Sequence, residues 1–445
     1  MQCCNNINCL EKGRVCVAPT GLPRIVIVGG GFAGLNLAKE LKNKAVQVVL
    51  VDKNNFHQFL PLTYQVATSG IEPDNIVFPF RKIFSTYRNF IFRMAEALDI
   101  DLENNRLNTT LGSIDYNFLV LANGSATNFF GNKGFKNFGL GLKSITDSLD
   151  IRSTLLQNLE KATVTCLEED KRRLGSIVVA GGGPAGVEIA GALAEFKRYI
   201  LPKDYPELKN TGMKIYLVEA TGGLLRYMPR KLSEKTKIYL ANMQVDVRLN
   251  NFIKSYDGAT VTLQNGETLE AATFIWTAGV KGDPVKGLPS EALNPQKRIL
   301  VNEHNRVKST DNVFAIGDIA LMKTKKYPDG HPMVAQVAIQ QGKVLAANLI
   351  RIIKNDTVIS FEYKDKGSMA TIGKKKAIAT IFNLNFYGFF AWLIWSFIHL
   401  MSIMGVRNKL LVAVNWLWSY FTYEKGNRVI IRTYKNVYKK KQDPL

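Results

Sequence analysis

The sequence predicts an α/β protein with two Rossmann-like dinucleotide-binding domains and a C-terminal helical region that associates with a membrane. Three observations carry this prediction. A glycine-rich strand-to-helix turn occurs twice, an acidic residue closes each of the two units, and a basic, tryptophan-bearing apolar stretch lies near the end of the chain.

The first unit begins with Arg24 to Val28, a short β-branched run. Gly29-Gly30-Gly31-Phe32-Ala33-Gly34 follows at once, and a helix-like pattern continues to Leu41. The glycines let the backbone turn tightly and approach a pyrophosphate, whose charge rests on the unpaired N–H groups and positive dipole end of the helix. A second strand over residues 46–51 leads to Asp52 and Lys53. A carboxylate there can accept hydrogen bonds from ribose hydroxyls, and it falls close to the ~20 residues beyond the turn that such a site requires.

The second unit repeats the pattern. Residues 177–179 lead into Gly181-Gly182-Gly183-Pro184-Ala185-Gly186, a helix follows, and Ile215 to Val218 ends at Glu219. An insertion over residues 196–210, with Pro202 and Pro206, accounts for the longer gap to the acid. One such turn can arise from packing alone. Two, each between strand and helix and each closed by an acid, point to two dinucleotides on one chain. A carboxylate at Glu219 repels a 2′-phosphate and accepts from a free 2′-hydroxyl, which favours NADH over NADPH. Residues 118–122 before Asn123-Gly124, and 273–277 before Ala278-Gly279, read as strands that end against a ligand. Asn265-Gly266 marks a hairpin, and residues 312–316 form a buried strand ending in Gly317-Asp318.

With 445 residues, 46% hydrophobic and 21% charged, the chain can bury several domain cores, and disorder is excluded as its general state. The net charge of +21 calls for a polyanionic partner. From Glu362 onward there are 14 Lys/Arg against 4 Asp/Glu, so this last fifth supplies +10 of the +21 and also holds the longest apolar stretch. That pairing favours an anionic lipid surface over nucleic acid. Cys3, Cys4, Cys9, Cys16 and Cys166 imply neither a disulfide framework nor a metal site. Residues 1–22 read as a loose tail with no secretory pattern, which argues for a cytoplasmic start. His57, His304, His331 and His399 are scattered and read as polar packing residues.

Further strings stand out: Asn54-Asn55-Phe56-His57, Tyr64-Gln65-Val66-Ala67, and Ala335-Gln336-Val337-Ala338-Ile339-Gln340-Gln341-Gly342. With the double turn and Gly317-Asp318, they make residues 23–432 resemble the type II NADH:quinone dehydrogenases, single-subunit flavoproteins that pump no protons. The resemblance implies an FAD domain from residues 23–145 and 290–350, an NADH domain from 146–289 inserted within it, and a membrane-anchoring region from 351–445. It implies FAD as cofactor, NADH as substrate, a membrane quinone as acceptor, a homodimer, and peripheral attachment to the cytoplasmic face of the cell membrane. It also implies roles for single residues. Asp318 would bind the ribityl or phosphate region of FAD, Ala335 and Gln336 would line its isoalloxazine, and Ala97 would touch it through the backbone. Glu188 would stand near the nicotinamide and quinone, and Lys375, or its neighbour Lys376, would face the quinone. Asn123 departs from the threonine usual in the family's turn.

These residue types suit the chemistry. Quinone reduction consumes two protons, and a glutamate with a raised pKa, such as Glu188, can relay them. The alternative for Glu188 is a surface helix position or an ion pair. Gln336 and Gln340 lie four apart, on one helix face, able to bond a quinone carbonyl or else to face solvent. A sulfide:quinone oxidoreductase shares the pattern but needs paired cysteines, and this chain has none after Cys166. A slow NADH-sensing protein leaves the Ala335-Gln336 string unexplained. Residues 384–404 and 410–421 are apolar runs carrying Trp392, Trp395, Trp416 and Trp418. They read as spanning, buried or interfacial helices. Nearby Arg407, Lys409, Lys425 and Arg428 favour the interfacial reading, and residues 435–441 add either lipid attraction or a solvated tail.

Overall fold

A computed structural model describes residues 21–422 and 426–430. The Cys-bearing tail through residue 20 and the lysine run at 435–441 lie outside the described residues. The chain divides into two units, each assembled from separate stretches. Among the described residues, one comprises those through His57, Phe78–Ala126 and Lys281–Asp365; the other comprises Gln58–Val77, Thr127–Val280 and those from Lys366 onward.

In the first unit, five strands form a parallel sheet in the order Val313–Ala315, Phe118–Leu121, Arg24–Val28, Gln47–Asp52 and Phe90–Met94. The central strands are β-branched and apolar without alternation because both faces are covered: Ile25, Val26, Ile27, Val49 and Val120 are fully buried. Helix Phe32–Glu40 packs against the long helix Ala335–Ile353. A three-stranded antiparallel sheet, Ala97–Asp101, Arg106–Thr109 and Gly112–Asp115, completes the core with Leu107 and Ile114.

The second unit repeats the arrangement with four parallel strands, Val245–Arg248, Ile215–Val218, Ile177–Ala180 and Thr273–Trp276. The hairpin Thr260–Leu263 and Thr268–Glu270 forms as expected around Asn265-Gly266. The insertion after helix Pro184–Glu195 is a π-helical turn, Phe196–Ile200, followed by the short helices Leu201–Asp204 and Pro206–Leu208.

The units divide the chain at other positions than the sequence expectation, with Gln58–Val77 in the second unit and the return to the first at Lys281. The first unit hands over at Ala126, not at residue 145, because residues beyond it are tied to the second sheet. Leu140 N donates to Phe274 O at 2.9 Å, and Trp276 N donates to Leu140 O at 2.8 Å. The C-terminal region starts near Lys366 rather than 351, and it is not purely helical: it opens with an antiparallel sheet of Ser368–Thr371, Ala377–Ile381 and Leu384–Gly388. The apolar run at 384–404 is therefore split. Gly388, at φ +74°, ends the strand and starts helix Phe389–Ser402, whose 14 residues span about 21 Å, against roughly 30 Å of bilayer hydrocarbon. Among the described residues no helix is long and apolar enough to cross a membrane.

Helix Val406–Thr422 follows after Gly405. Its buried Asn408 donates to the carbonyls of Asp74 (3.2 Å) and Val77 (3.0 Å), anchoring the helix within its own unit. Leu410, Val414, Leu417, Trp418 and Phe421 point outward at helical spacing, as do Phe390, Leu393, Phe397 and Met401 on the preceding helix.

Candidate active site

The two glycine turns are built alike. Gly29 and Gly181 have φ near +100° (+99° and +103°), which a side chain rarely tolerates. A methyl group on Gly34 would lie 2.0 Å from Gly29 O, and one on Gly186 would lie 1.9 Å from Gly181 O, so both helices can approach their strands only as glycine. Asp52 Oδ2 accepts from Gly30 N at 2.7 Å and Oδ1 from Asn54 N at 2.7 Å. Glu219 Oε2 accepts from Gly182 N at 2.6 Å and Oε1 from Thr221 N at 2.9 Å. Each acid thus braces its turn and keeps further lone pairs for a ribose hydroxyl. Burial, opposed by these bonds, leaves the Asp52 carboxyl above its ordinary range. Lys53 is exposed beside it.

Sequence reasoning missed a third brace. His57 is buried, its Nδ1–H donates to Gly30 O at 2.9 Å, and its ring meets Phe32 edge-on at 5.4 Å. Burial pushes the imidazole down to about 4, so it stays neutral and the donating tautomer persists.

Also in the first unit, Ser125 Oγ donates to Asp318 Oδ2 at 2.8 Å. Ala97 begins its strand opposite Thr109. Ala335 and Gln336 open the long helix, and Gln340 lies one turn on. Gln340, expected to face a ligand or solvent, instead clamps a loop: Nε2 donates to Lys364 O at 2.9 Å and Oε1 accepts from Lys364 N at 3.1 Å. Its neighbour Gln341, which the sequence did not single out, is buried and accepts from Gly317 N at 2.7 Å. Gly342, the last residue of the string, is a packing position, since a methyl group there would come within 2.6 Å of Ala33 O.

The second unit holds a cavity lined by Tyr64, Gln65, Glu188, Glu195, Thr371 and Lys374, and walled by Trp392, Trp395 and Trp416. Glu188 and Glu195 share one face of helix Pro184–Glu195, two turns apart. Glu188 is 8% exposed, and its Oε1 accepts a long bond of 3.4 Å from Thr371 N. Burial raises its carboxyl to about 8, so near neutrality it is an acid holding its proton. Glu195 accepts from the backbone N–H of Lys374, whose ammonium donates to Ser419 O. Burial lowers that ammonium to about 8 against the attraction of Glu195. The amine in the cavity is therefore Lys374 rather than Lys375. At φ +65° in this tight turn, Lys375 is exposed, its ammonium 4.3 Å from the centre of the Tyr420 ring. Lys376 lies over Tyr239 instead, at 5.6 Å. Also in the second unit, Gly279 O accepts from Asn128 N at 3.0 Å.

Two Rossmann-type sheets, each with a braced phosphate-cradling turn, define the class: a flavoprotein reductase with two dinucleotide sites. The profile of the pyridine nucleotide-disulphide oxidoreductases matches residues 23–342, and that of the NDH2 C-terminal domain matches residues 366–423. The type II NADH:quinone oxidoreductase NdhA of Mycobacterium tuberculosis is 33% identical over 92% of this chain and 90% of its own length. The external NADH-ubiquinone oxidoreductase 2 of Saccharomyces cerevisiae mitochondria is 29% identical over 89% of this chain and 81% of its own. In fold, the structure of NDH2 from Plasmodium falciparum in complex with NADH agrees at a TM-score of 0.85, covering 92% of this chain and 100% of that one at 21% identity. The chain belongs to the type II NADH:quinone oxidoreductase family. It is an FAD-dependent enzyme that oxidises NADH and reduces a quinone.

The residues present fit a dinucleotide with a bound pyrophosphate. No side chain caps either helix, and the space where a side chain of Gly31 or Gly183 would stand is clear to 4 Å. When bound, FAD accepts a hydride from NADH and passes on two electrons.

Proposed function

We propose a division of labour for this reaction among named residues. The first turn, Gly29 to Gly34 with Asp52 and Lys53, holds FAD, assisted by Ala97, Asp318, Ala335 and Gln336. The second turn, Gly181, Gly183 and Gly186 with Glu219 and Gly279, holds NADH. The quinone is reduced in the cavity of the second unit, where Glu188 supplies protons and Lys374 offers a cationic donor. In this reading Gln340 supports the site through Lys364. The observation that carries the proposal is a tryptophan-walled cavity containing a buried glutamate, whose carboxyl burial pushes up to about 8. A quinone has an apolar body and two oxygens that only accept hydrogen bonds, and it needs a proton for each.

The test separates the half-reactions. In Glu188→Gln, NADH should bleach the flavin at the wild-type rate, while reoxidation by a soluble quinone slows roughly 100-fold, the typical loss of a general acid. Equal slowing of both steps would refute the assignment.

The outward apolar stripes of helices Phe389–Ser402 and Val406–Thr422, with Arg407 exposed beside them, support seating on an anionic lipid surface. The cytoplasmic face and a homodimer, both drawn from the family resemblance, complete the proposal. Mass measurement in mild detergent reads out the dimer.

A further inference from the structure

The Tyr64 hydroxyl has a defined polarity. Trp416 Nε1–H, which can only donate, bonds Gln65 Oε1 at 2.8 Å. The Gln65 amide is thereby turned with its nitrogen towards Tyr64, and Nε2 donates to the phenol oxygen at 2.9 Å. The phenol keeps its own O–H to give, and among the described residues it donates to none. Tyr64 is 5% exposed and lines the same cavity as Glu188. In that lining, Trp395 Nε1 and Ser396 Oγ are also buried without a protein partner. Buried donors without acceptors mark a place for a ligand that brings acceptors.

We propose that Tyr64 is a catalytic residue of quinone reduction: its O–H holds one quinone oxygen and stabilises the negative charge that develops there as electrons arrive. This rests on the reading that the cavity is the quinone site. The overall step takes the two electrons that NADH has supplied through FAD and two protons; the hydrogen that came with the hydride of NADH returns to solvent as a proton, so the net reaction consumes one. Both quinone C=O groups become C–O–H. The protons come through Glu188, which is recharged from water, so Tyr64 ends the cycle protonated as it began. Burial first, and then the charge that Glu188 and Glu195 carry once ionised, hold the phenol well above its ordinary range, which suits a donor that keeps its proton. Gln65 and Trp416 are positioning residues that aim it.

The test uses the full FAD-loaded protein, reduced by NADH without oxygen and then mixed with a short-chain quinone or with ferricyanide, an electron acceptor that takes up no protons. Tyr64→Phe should slow reoxidation by quinone about tenfold to a hundredfold, in the range found when one preorganised donor is removed. Reoxidation by ferricyanide and reduction by NADH should not change. Trp416→Phe, which frees the Gln65 amide but leaves the phenol in place, should slow the quinone step partially and with the same selectivity. It also keeps the idea testable if Tyr64→Phe does not fold. A wild-type quinone rate in Tyr64→Phe, or equal slowing with both acceptors, overturns the role of Tyr64. If Glu188→Gln is slow while Tyr64→Phe is not, only Tyr64 is misassigned; wild-type rates in both remove the cavity from the reaction altogether.

Discussion

Glu188 and Glu195 occupy one face of one helix, and burial pushes the carboxyl of Glu188 up to about 8. Two consequences are measurable. The quinone half-reaction should fall as pH rises through about 8, where Glu188 loses its proton, and Glu188→Gln should abolish that limb. Stability should follow the same sign. The folded state binds an extra proton between the ordinary value of 4.5 and about 8, so this contribution is complete below 4.5 and is lost as pH rises through 8. Urea unfolding of wild type and Glu188→Gln at pH 6 and 9 checks it: the wild type should lose more stability than the variant on going to pH 9. At this scale the sequence was legible where the signal is local. Asp52 closes its glycine turn at the expected distance and Glu219 closes the second beyond an insertion, whereas Glu188 was named through the family resemblance. It was silent where direction depends on a single torsion. Nothing in Lys374-Lys375-Lys376 reveals that a positive φ at the middle residue turns it outward. Tyr64 and Gln65 stood out as a matching string, but the donor that orients them, Trp416, is 351 residues further on.

The long helix Ala335–Ile353 shows how one string can carry several duties. Gln340 holds Lys364, Gln341 holds Gly317, and Gly342 lets the helix cross Phe32–Glu40 closely. Gly342→Val should force the helices apart, lowering the melting temperature by several degrees or more and increasing free flavin fluorescence on mild heating. Unchanged melting would show that the crossing tolerates the bulk. The strands of both sheets were legible because buried parallel strands are written as short, continuous β-branched runs. The run at 384–404 was misread because hydropathy does not register pairing. Its first residues complete a sheet with Ala377–Ile381, and Gly388 breaks the chain direction before the helix begins.

Over the whole molecule, positive charge and outward apolar rings occur together in the C-terminal region. Replacing Leu410, Val414, Leu417 and Phe421 together by Gln should release the protein from anionic vesicles while FAD and ferricyanide reduction persist. Binding as tight as wild type would move the attachment elsewhere. Cutting the chain at residue 383 is a poorer test, because it also removes Trp392, Trp395 and Trp416 from the cavity wall. The interleaving of the two units has a further consequence for biosynthesis. Strand Val313–Ala315 is the edge partner of Phe118–Leu121, so the sheet that starts first in the chain cannot be closed until most of the polypeptide has left the ribosome. The later sheet needs nothing beyond Trp276 for its four strands. Nascent chains stalled near residue 320, where Trp276 has cleared the exit tunnel and Val313–Ala315 has not, should therefore protect the downstream sheet from protease while the upstream one stays open, reversing the usual order of maturation from the amino terminus.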